Sequence, residues 1–452
     1  MLRLLCCWLV ACAPLVASLN LAAAETPAAW AHEHVEQLFS LYKQLHQNPE
    51  LSLEEKATSE RVAAELKAAG VEVGPRVGGY GVVGLLTNGE GPRVMIRTDL
   101  DALPVTEQTG LAYASKVRVR DKHGRETGVM HACGHDVHMT CFVGVARYLA
   151  ANKDRWQGTV MFVGQPAEEA GSGARRMLDD GLFEKYAKPD YALALHCSAL
   201  LPTGAIGYRP GYALANVDSV DITVYGKGGH GAYPHTTIDP VVQAAHLILD
   251  LQTIVSREVK PTEPAVITVG SIHGGTKHNI IADACHLQLT VRSYSDEVRD
   301  QLRRAIERKA KAVAASAGAP EPKVEFVEGA LALKNDEKLV ERLVPVFQRA
   351  LGKENVVLTE PSMGGEDFSQ FGLDGGMPVF QLQVGTVDPQ RLAGYKRVGE
   401  SPPSLHSPLY YPDAEQAIPV GVTAMASAVL DLLPPSKPSA PAKPESTTPP
   451  GK

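Results

Sequence analysis

Residues 130–140, with the sequence MHACGHDVHMT, concentrate three histidines, a cysteine and an aspartate in one short segment. Thiolates, imidazoles and carboxylates are the side chains that bind zinc and similar divalent ions. Alternate residues of an extended loop point the same way, so Cys133 and His135 can share one ion, and His131 can join them on geometry alone. His138 falls inside a predicted helix, where supporting a ligand or packing is the better interpretation. The segment therefore predicts a metal site.

Further polar side chains follow three predicted strands at the points where those strands end. Asp99 and Asp101 close the first strand, Glu168 and Glu169 follow the second, and His196 ends the third. Open α/β sheets bind ligands at the carboxyl ends of their strands, so these groups are expected to meet at one edge. Adjacent glutamates that face different ways can divide the work, one binding metal while the other moves a proton.

The elements that must position these groups alternate between helix and strand. Residues 30–46 predict a first helix, and Ser52 with Glu55 predicts a capping box that opens a second. The apolar runs TVMFVGQ and YALALH predict buried strands separated by helices. Asp136 can cap the helix that follows the metal-site segment. This order predicts an α/β fold with helices on the faces of a sheet.

The pattern changes at residue 212. Residues 212–328 follow the order β-α-β-β-α-β, which is typical of a ferredoxin-like unit, and the helix and strand pattern of the first domain then resumes. The sequence therefore predicts one domain in two parts, residues 25–211 and 329–434, with a second domain inserted between them.

Composition and the two ends of the chain narrow the class of protein. The chain has 452 residues and a net charge of −7 without a basic stripe, which argues against nucleic-acid binding. Arg3, an apolar run and an Ala-Ala-Ala sequence predict a signal peptide over residues 1–24, and hence a periplasmic or secreted protein. The alternative is a lipid anchor on Cys12, because LVAC resembles a lipoprotein box. The proline-rich residues 435–452 predict a disordered tail.

Several motifs in order resemble one known family. They are RTDLDALPVTE, MHACGHDVH, QPAEE, GKGGHGAYPH, GGTKHNIIAD, MGGEDF and LHSPLYYPD. Together they are similar to the aminoacylase/carboxypeptidase family of two-metal peptidases, and most of all to its amidohydrolase branch, which includes hippurate hydrolases, auxin-conjugate hydrolases and N-acyl-amino-acid amidohydrolases. The resemblance covers residues 30–433. It implies a mixed-sheet di-metal catalytic domain with an inserted ferredoxin-like α+β domain that serves as lid and dimerisation surface.

The resemblance implies roles for individual residues of the catalytic domain. The side chains that match the ligands of the two-metal site are Cys133, His135, Glu169, His196 and His406. Glu168 resembles the general base and acid, and Asp101 resembles the carboxylate that orients a ligand. Relatives outside this branch carry histidine where Asp99 stands, so Asp99 is left outside the ligand set.

In the inserted domain the resemblance implies contacts with the substrate. His230 matches a histidine that polarises the scissile carbonyl, often in the partner subunit's site of a dimer. Asn279 and Arg292 match residues that hold the carboxylate end of the substrate. A homodimer through the inserted domain is therefore expected.

These inferences predict an exported metal-dependent amidohydrolase that acts on N-acyl amino acids or small peptides with a free carboxylate. The two divalent ions would be Zn, Mn, Co or Ni, and the partner a small molecule rather than a nucleic acid. The alternatives are a carboxypeptidase or dipeptidase of the same family, or a peptide-binding protein without catalysis. The last is disfavoured because the base, the orienting aspartate and all matching ligands are present.

Overall fold

The computed structural model describes residues 25–120 and 124–435. The predicted signal peptide, with Cys12, lies outside the described residues, as does the predicted tail from residue 436 onwards. The helices are α1 (Pro27–Glu33), α2 (Val35–Gln47), α3 (Lys56–Ala68), α4 (His135–Ala151), α5 (Gly173–Asp179), α6 (Leu182–Lys185), α7 (Pro240–Thr253), α8 (Asp296–Ser316), α9 (Glu337–Leu351), α10 (Ser369–Gly375), α11 (Pro389–Val398) and α12 (Ala414–Leu432).

The strands form one large and one smaller sheet, with three short pairs beside them. They are β1 (Glu72–Val73), β2 (Val82–Asn88), β3 (Arg93–Asp99), β4 (Arg118–Arg120), β5 (Glu126–Gly128), β6 (Gly158–Gln165), β7 (Tyr191–Pro202), β8 (Ile206–Tyr208), β9 (Gly211–Leu214), β10 (Asn216–Tyr225), β11 (Gly229–His230), β12 (Ala265–Gly274), β13 (Ile280–Ile281), β14 (Ala284–Ser293), β15 (Lys323–Glu328), β16 (Leu333–Asn335), β17 (Val356–Leu358) and β18 (Val379–Val387).

The large sheet has eight strands in the order β1-β2-β6-β3-β7-β18-β8-β17. It is mixed, because β3 runs parallel to β6 and β7 while β2 runs antiparallel to β6. Strand β6 is buried along its whole length, as expected of a strand covered on both faces. Helices α4 and α12, which are apolar almost all round, pack together on one face and make the largest core. The α/β fold predicted from the alternating pattern is the one observed.

Residues 216–328 build the smaller sheet and its two helices. Its four strands run antiparallel in the order β12-β14-β10-β15, and α7 and α8 cover one face. A separate hydrophobic core lies between that face and the helices, with Ile222, Leu247, Leu287 and Leu302 fully buried. The chain order of these elements is the predicted β-α-β-β-α-β, with the short strands β11 and β13 added at one end.

Two predictions of where elements end were wrong. The single helix predicted for residues 30–46 is two helices, because the chain turns at His34 (φ −100°, ψ 8°), whose ring bonds the carbonyl of Trp30. Strand β7 does not end at His196 but continues to Pro202, paired with β18. No helix in the part of the chain that the structure describes has the length and apolarity to cross a membrane.

Candidate metal centre

Five predicted ligands meet at the edge of the large sheet. The ligand atoms of Cys133, His135 and His196 lie within 4.8 Å of one another, and those of Cys133, Glu169 and His406 form a second such group. Because the thiol belongs to both groups, the five side chains make one cluster. Its size and its mixture of sulfur, nitrogen and carboxylate donors suit a pair of borderline divalent ions.

The start of helix α4 places Cys133 and His135 side by side. Gly134 adopts φ 83°, and a Cβ there would lie 2.8 Å from Cys197 Sγ, so glycine is required both for its conformation and for its size. His135 is then the first residue of α4. The two side chains thus converge through a left-handed turn into a helix, not through the extended loop inferred from the sequence. Asp136 lies in the first turn instead of capping the helix.

Strained backbone surrounds the cluster. Among the described residues, three that are not glycine have positive φ, and all three border the site: Leu53 at 70°, Ala167 at 51° and His406 at 69°. The buried Glu55 carboxylate accepts hydrogen bonds from Leu53 N at 2.9 Å and Ala167 N at 2.7 Å. His406 N donates to Ala132 O at 2.9 Å. Such strain persists only where other contacts fix it, and it concentrates at functional sites.

Two buried ligand atoms have no hydrogen-bond partner among the described residues: His135 Nε2 and Glu169 Oε1. The other ring nitrogens are committed, since His135 Nδ1 bonds Asp101 O at 2.7 Å and His196 Nδ1 bonds Cys197 O at 2.8 Å. Both imidazoles therefore present Nε2 to the cluster. Leaving a buried polar atom unpaired costs about 1–3 kcal/mol, so the donor set fits a bound cation.

Burial also sets the protonation of the cluster. Burial lowers the pKa of His196 to about 3, which keeps this imidazole neutral, as a metal ligand must be. Burial raises the pKa of Cys133 well above its usual range. The thiolate form therefore needs a cation beside it, and the cluster is suited to binding metal with release of a proton.

Asp101 lies directly behind the ligands. Its Oδ2 accepts hydrogen bonds from Ser52 Oγ at 2.6 Å and Glu169 N at 3.0 Å, and its Oδ1 lies 3.5 Å from His135 Nδ1. These contacts orient both a histidine and a glutamate of the cluster. They also correct the predicted capping box. Ser52 bonds Asp101 and Glu55 bonds the strained loop, so neither side chain caps helix α3.

Glu168 lies beside the cluster, with Oε2 3.9 Å from His135 Nε2. Burial, reinforced by the nearby carboxylates of Glu366 and Glu169, raises its pKa well above the usual range. A carboxyl group in such surroundings is suited to accepting and returning protons near neutral pH. Sequence reasoning expected the two glutamates to face different ways, whereas both carboxylates lie within 4.8 Å of His135 Nε2.

A buried arginine that sequence reasoning missed supports this region. Arg97 bonds Asp99 Oδ2 at 2.9 Å, Glu366 Oε1 at 2.9 Å and Gln165 Oε1 at 2.9 Å. The other oxygen of Asp99 bonds His138 Nδ1 at 2.8 Å, so both oxygens of this carboxylate have hydrogen-bond partners, and Oδ2 also lies 3.8 Å from His135 Nε2. Glu366 stood out as part of the motif MGGEDF, but Arg97 lies 269 residues before it, so the sequence did not connect the two.

Two histidines of the opening segment lie outside the cluster. His138 bonds Asp99 through Nδ1 and accepts from Cys197 N at 2.8 Å through Nε2, which leaves no ring nitrogen for metal. This is the supporting role predicted for it. His131 is buried, belongs to none of the ligand groups found among the described residues, and has no hydrogen-bond partner for either ring nitrogen.

The three predicted site residues of the inserted domain have no hydrogen bond or ion pair with the cluster in the described ranges. His230 is exposed and accepts from Ala232 N at 3.1 Å. Asn279 lies on the neighbouring strand connection, where its carbonyl accepts from Gly231 N at 2.9 Å. Arg292 is half-buried and donates to Met363 O at 3.2 Å. The structure thus assembles the metal ligands but not the substrate contacts.

Comparison with known proteins identifies the family. Residues 95–430 match the family model described as peptidase family M20/M25/M40. The chain belongs to this family. The predicted resemblance is therefore confirmed, and with it the prediction of an enzyme, a metal-dependent amidohydrolase or peptidase.

Relatives with named activities cover most of the chain. An N-acetyl-L-cysteine deacetylase of Bacillus subtilis is 37% identical over 74% of this chain and 77% of its own length. An IAA-amino acid hydrolase of Arabidopsis thaliana is 34% identical over 88% of this chain and 85% of its own. A thermostable carboxypeptidase of Saccharolobus solfataricus is 37% identical over 74% and 82% of the two chains.

Solved structures of the family share the fold. A protein of methicillin-resistant Staphylococcus aureus described as an aminohydrolase superimposes with a TM-score of 0.79 at 31% identity, over 90% of this chain and 98% of its own. A dinuclear metal-binding M20 peptidase of Bacillus subtilis gives a TM-score of 0.72 at 29% identity, over 89% and 99%. The predicted fold class is therefore confirmed.

Proposed function

We propose that the protein is an exported amidohydrolase that cleaves the amide bond of N-acyl amino acids, or of small peptides with a free carboxylate. The observation that carries the proposal is the cluster of five ligand side chains with the buried carboxylate of Glu168 beside it. A binding protein without catalysis would gain nothing from a buried carboxylate of raised pKa next to its ligands.

Each residue of the cluster is assigned a role in this reaction. The proposed ligands of two divalent ions, drawn from Zn, Mn, Co or Ni, are Cys133, His135, Glu169, His196 and His406. Such ions lower the pKa of water and polarise a carbonyl when bound. Glu168 takes the proton of the attacking water and returns it to the leaving amine. Asp101 holds His135 and Glu169 in place, and His230 donates to the developing oxyanion.

The substrate class is proposed from the names of relatives and from the inserted domain. The Bacillus subtilis and Arabidopsis thaliana relatives are named for N-acetyl-L-cysteine and for IAA-amino acids, and both names describe acylated amino acids. A carboxypeptidase is the second candidate, because a relative of equal identity carries that name. A panel of N-acyl amino acids and dipeptides, offered to protein reconstituted with each metal in turn, separates the two. Faster turnover of dipeptides would favour the second candidate.

Arg292 and Asn279 are proposed to hold the substrate carboxylate. Arg292 has no carboxylate at ion-pair distance among the described residues, so part of its guanidinium is available. Asn279 would donate to the same carboxylate through its amide Nδ2, because its Oδ1 can only accept. A guanidinium suits a carboxylate because it can donate two parallel hydrogen bonds.

The test compares an N-acyl amino acid with its amide or methyl ester. We expect the wild type to prefer the free acid by about a hundredfold, the scale of one lost charged hydrogen bond. Arg292→Ala should lose most of that preference, whereas Arg303→Ala, a half-buried arginine of the same domain that pairs with Glu328, should retain it. Equal rates on acid and amide in the wild type would remove Arg292 from the site.

A homodimer through the inserted domain is also proposed. Strand β12 is the edge of the smaller sheet, with Ile272 exposed, and the outer face of α7 exposes Val242 and Leu249. An unpaired edge strand beside exposed apolar side chains is suited to pairing with a second copy. Light scattering should show a dimer that Leu249→Glu dissociates and that Leu358→Glu, an exposed apolar position in the large sheet, does not. A monomeric wild type would contradict the proposal.

Export is proposed from the sequence alone. The amino-terminal sequence of the mature protein tests it, and we expect Glu25 as the first residue after removal of the signal peptide. A lipid anchor would instead leave Cys12 at the amino terminus and the protein in the membrane fraction. Retention of Met1 would contradict both.

A further inference from the structure

Residues 362–367, with the sequence SMGGED, connect the inserted domain to the metal centre. We call them the 362–367 segment. At its outer end Ser362 N donates to Ala213 O at 2.9 Å, and Gly364 O accepts from Ala215 N at 2.9 Å. Ala213 and Ala215 flank the point where the chain leaves β9 and enters β10. The segment is therefore bonded to the connection on which the inserted domain is carried.

The inserted domain itself holds the middle of the segment. Arg292, on β14, donates from Nη1 to Met363 O at 3.2 Å. At Gly365 a Cβ would lie 2.6 Å from Cγ2 of Val217, the second residue of β10. Two strands of the inserted domain thus contact the backbone of the segment without intervening space. A change in the orientation of this domain cannot leave the segment where it is.

The inner end of the segment is fixed inside the catalytic domain. Arg97 Nη2 bonds Glu366 Oε1 at 2.9 Å and lies 3.3 Å from Asp367 Oδ1. Gln381 Nε2 donates to Glu366 Oε2 at 2.6 Å, and Gln165 Nε2 to Asp367 Oδ1 at 2.6 Å. With every partner buried, the two carboxylates have one defined arrangement.

The same carboxylates reach Glu168. Carboxylate oxygens of Glu168, Glu366 and Asp367 lie within 4.8 Å of one another. Like charges at this separation repel, so the place that the Glu366 carboxylate occupies affects where the Glu168 carboxylate can lie. The Asp367 side chain also accepts from Ala174 N at 3.0 Å, in the helix that follows the Glu168 loop.

We propose that the 362–367 segment couples the orientation of the inserted domain to the position of Glu168, and that Glu366 is the positioning residue at its inner end. The inference rests on the proposed function, in which Glu168 moves the proton. A substrate carboxylate and the Met363 carbonyl would bind the same guanidinium, which has five N–H groups, so a shift of Arg292 towards the substrate carries the Met363 carbonyl with it. Substrate binding and the position of the segment are thus linked, so that Glu168 takes its working position when the substrate is bound.

The first test uses the two glycines of the segment as a matched pair in the metal-loaded full chain. Gly365→Ala forces the segment away from Val217, whereas an added Cβ at Gly364 meets atoms no closer than 3.5 Å. A misplacement of about 1 Å can cost about 10²-fold in rate, so we expect Gly365→Ala to lower kcat at least about tenfold with unchanged metal content. Gly364→Ala should stay near the wild-type rate.

Removing the clash should restore the rate. Val217→Ala deletes the methyl group that the new Cβ meets, so the double variant with Gly365→Ala should recover most of kcat, and Val217→Ala alone, which keeps the Arg292–Met363 contact, should cost less than Gly365→Ala alone. A wild-type rate in Gly365→Ala, or no recovery in the double variant, would overturn the proposal.

A double-mutant cycle tests the two ends of the segment together. If Arg292 and Glu366 act through one segment, Arg292→Ala and Glu366→Gln should not be independent. We expect kcat/KM of the double variant to exceed the product of the single effects at least about fivefold, as for coupled residues. Effects that multiply would mean that the two residues act separately, and would contradict the coupling.

Hydrogen exchange tests the coupling without any turnover. The amide of Ala215 is bonded to Gly364 O, so its exchange reports the contact between segment and connection. Glu366→Gln should change exchange of the peptide covering residues 213–217 at least about threefold beyond the uniform change that a loss of stability produces in the other peptides of the inserted domain. Unchanged exchange overturns the inference. A wild type that hydrolyses nothing on the panel would instead refute the proposed function, and the exchange result would still decide the coupling.

Discussion

The metal centre and the inserted domain hold their polar side chains in different ways. In the metal centre each buried ligating imidazole bonds a backbone carbonyl through its other ring nitrogen. Asp101 accepts hydrogen bonds both from Ser52 and from the backbone of Glu169. In the inserted domain His230 is exposed, and the buried amide oxygen of Asn279 has no hydrogen-bond partner in the described part of the chain.

The ligands of the metal centre are therefore held in place before a metal binds, whereas the side chains of the inserted domain still lack partners. Side chains fixed by neighbours are ready for their ligand at no further cost in entropy, as metal binding requires. Side chains without partners become ordered only when a substrate or a second subunit supplies the missing contacts. Changes in the metal centre should therefore alter metal content or the chemical step, and changes in the inserted domain should alter turnover with the metals unaffected.

The largest effect is expected from Glu168, inside the metal centre. Glu168→Gln should lower kcat about 10²–10⁴-fold while metal content stays near wild type, because the residue moves protons and does not anchor the ions. Elemental analysis after dialysis provides the comparison, since Cys133→Ser replaces a ligand and should lose metal. Metal loss in Glu168→Gln, or activity within about tenfold of wild type, would contradict the assigned role.

His230 is expected to give the next largest effect. His230→Ala should lower kcat about 10²–10³-fold, the usual loss for one donor to an oxyanion. Metal content and melting temperature should not change, because the side chain is exposed and outside the cluster. His286→Ala removes another imidazole of the same domain and should leave turnover unaffected. A normal rate in His230→Ala would remove His230 from the site.

The same division explains what the sequence could predict. Cys133 and His135 were found because ligating residue types concentrate in one short segment, and Glu168, Glu169 and His196 because they follow predicted strands, which is a local signal joined to a fold-level rule. The choice of Glu169 as the ligand came from the family resemblance. His406 was included only as a late histidine that would complete the ligand set, since nothing local sets it apart. The role of Arg97 was missed, because its partner Glu366 is distant in sequence and a charged residue inside a strand gives no sign of its burial.

Ser52 and Glu55 show how a local rule fails. Their spacing matches a capping box, yet Ser52 donates to Asp101 and Glu55 binds the backbone of Leu53 and Ala167. Capping contributes about 1 kcal/mol, and partners that arrive through the tertiary fold can replace it. Residues that break a local rule in this way are expected at functional sites.

Ser52→Ala should give a smaller effect on the metal centre. Loss of its hydrogen bond to Asp101 should weaken metal binding about tenfold, within the usual range of about 10–100-fold for residues that support ligands. Because the lost partner is a buried carboxylate, stability should also fall by about 1–3 kcal/mol, so metal affinity is the measurement that distinguishes this role from capping. Ser295→Ala is the control, because Ser295 caps α8 through Val298 N, so it should lose about 1 kcal/mol of stability with metal affinity unchanged. Equal behaviour of the two variants would restore the capping interpretation.

The smallest effect on turnover is expected at His46, which joins helix α2 to the start of α4. Its Nδ1 bonds Asp136 Oδ2 at 2.7 Å and its Nε2 bonds Glu107 Oε1 at 3.2 Å. Burial by itself lowers the pKa of His46, but these two carboxylates raise it from 6.5 to about 9. The pKa of His46 is higher in the folded protein than in the unfolded chain. The stabilisation that the protonated ring provides is therefore complete below pH 6.5, declines as the pH rises, and is lost above about 9.

A comparison of His46→Gln with wild type should therefore depend on pH. Burial raises the pKa of Asp136 and of Glu107, but hydrogen bonds and nearby charge, chiefly from His46, outweigh burial, so the two pKa values lie below their usual range. Burial raises the pKa of Tyr42. His46 is therefore the group of this cluster that titrates between pH 6.5 and 9. The shift corresponds to about 3 kcal/mol, so the difference in unfolding free energy should shrink by up to that amount between pH 6 and pH 9.5. Urea unfolding of the metal-loaded proteins measures it. The control is His32→Gln, an exposed position on α1, whose difference from wild type in unfolding free energy should not change with pH. If the difference for His46→Gln also stays constant, or grows as the pH rises, the ion pair does not hold α2 against the metal centre.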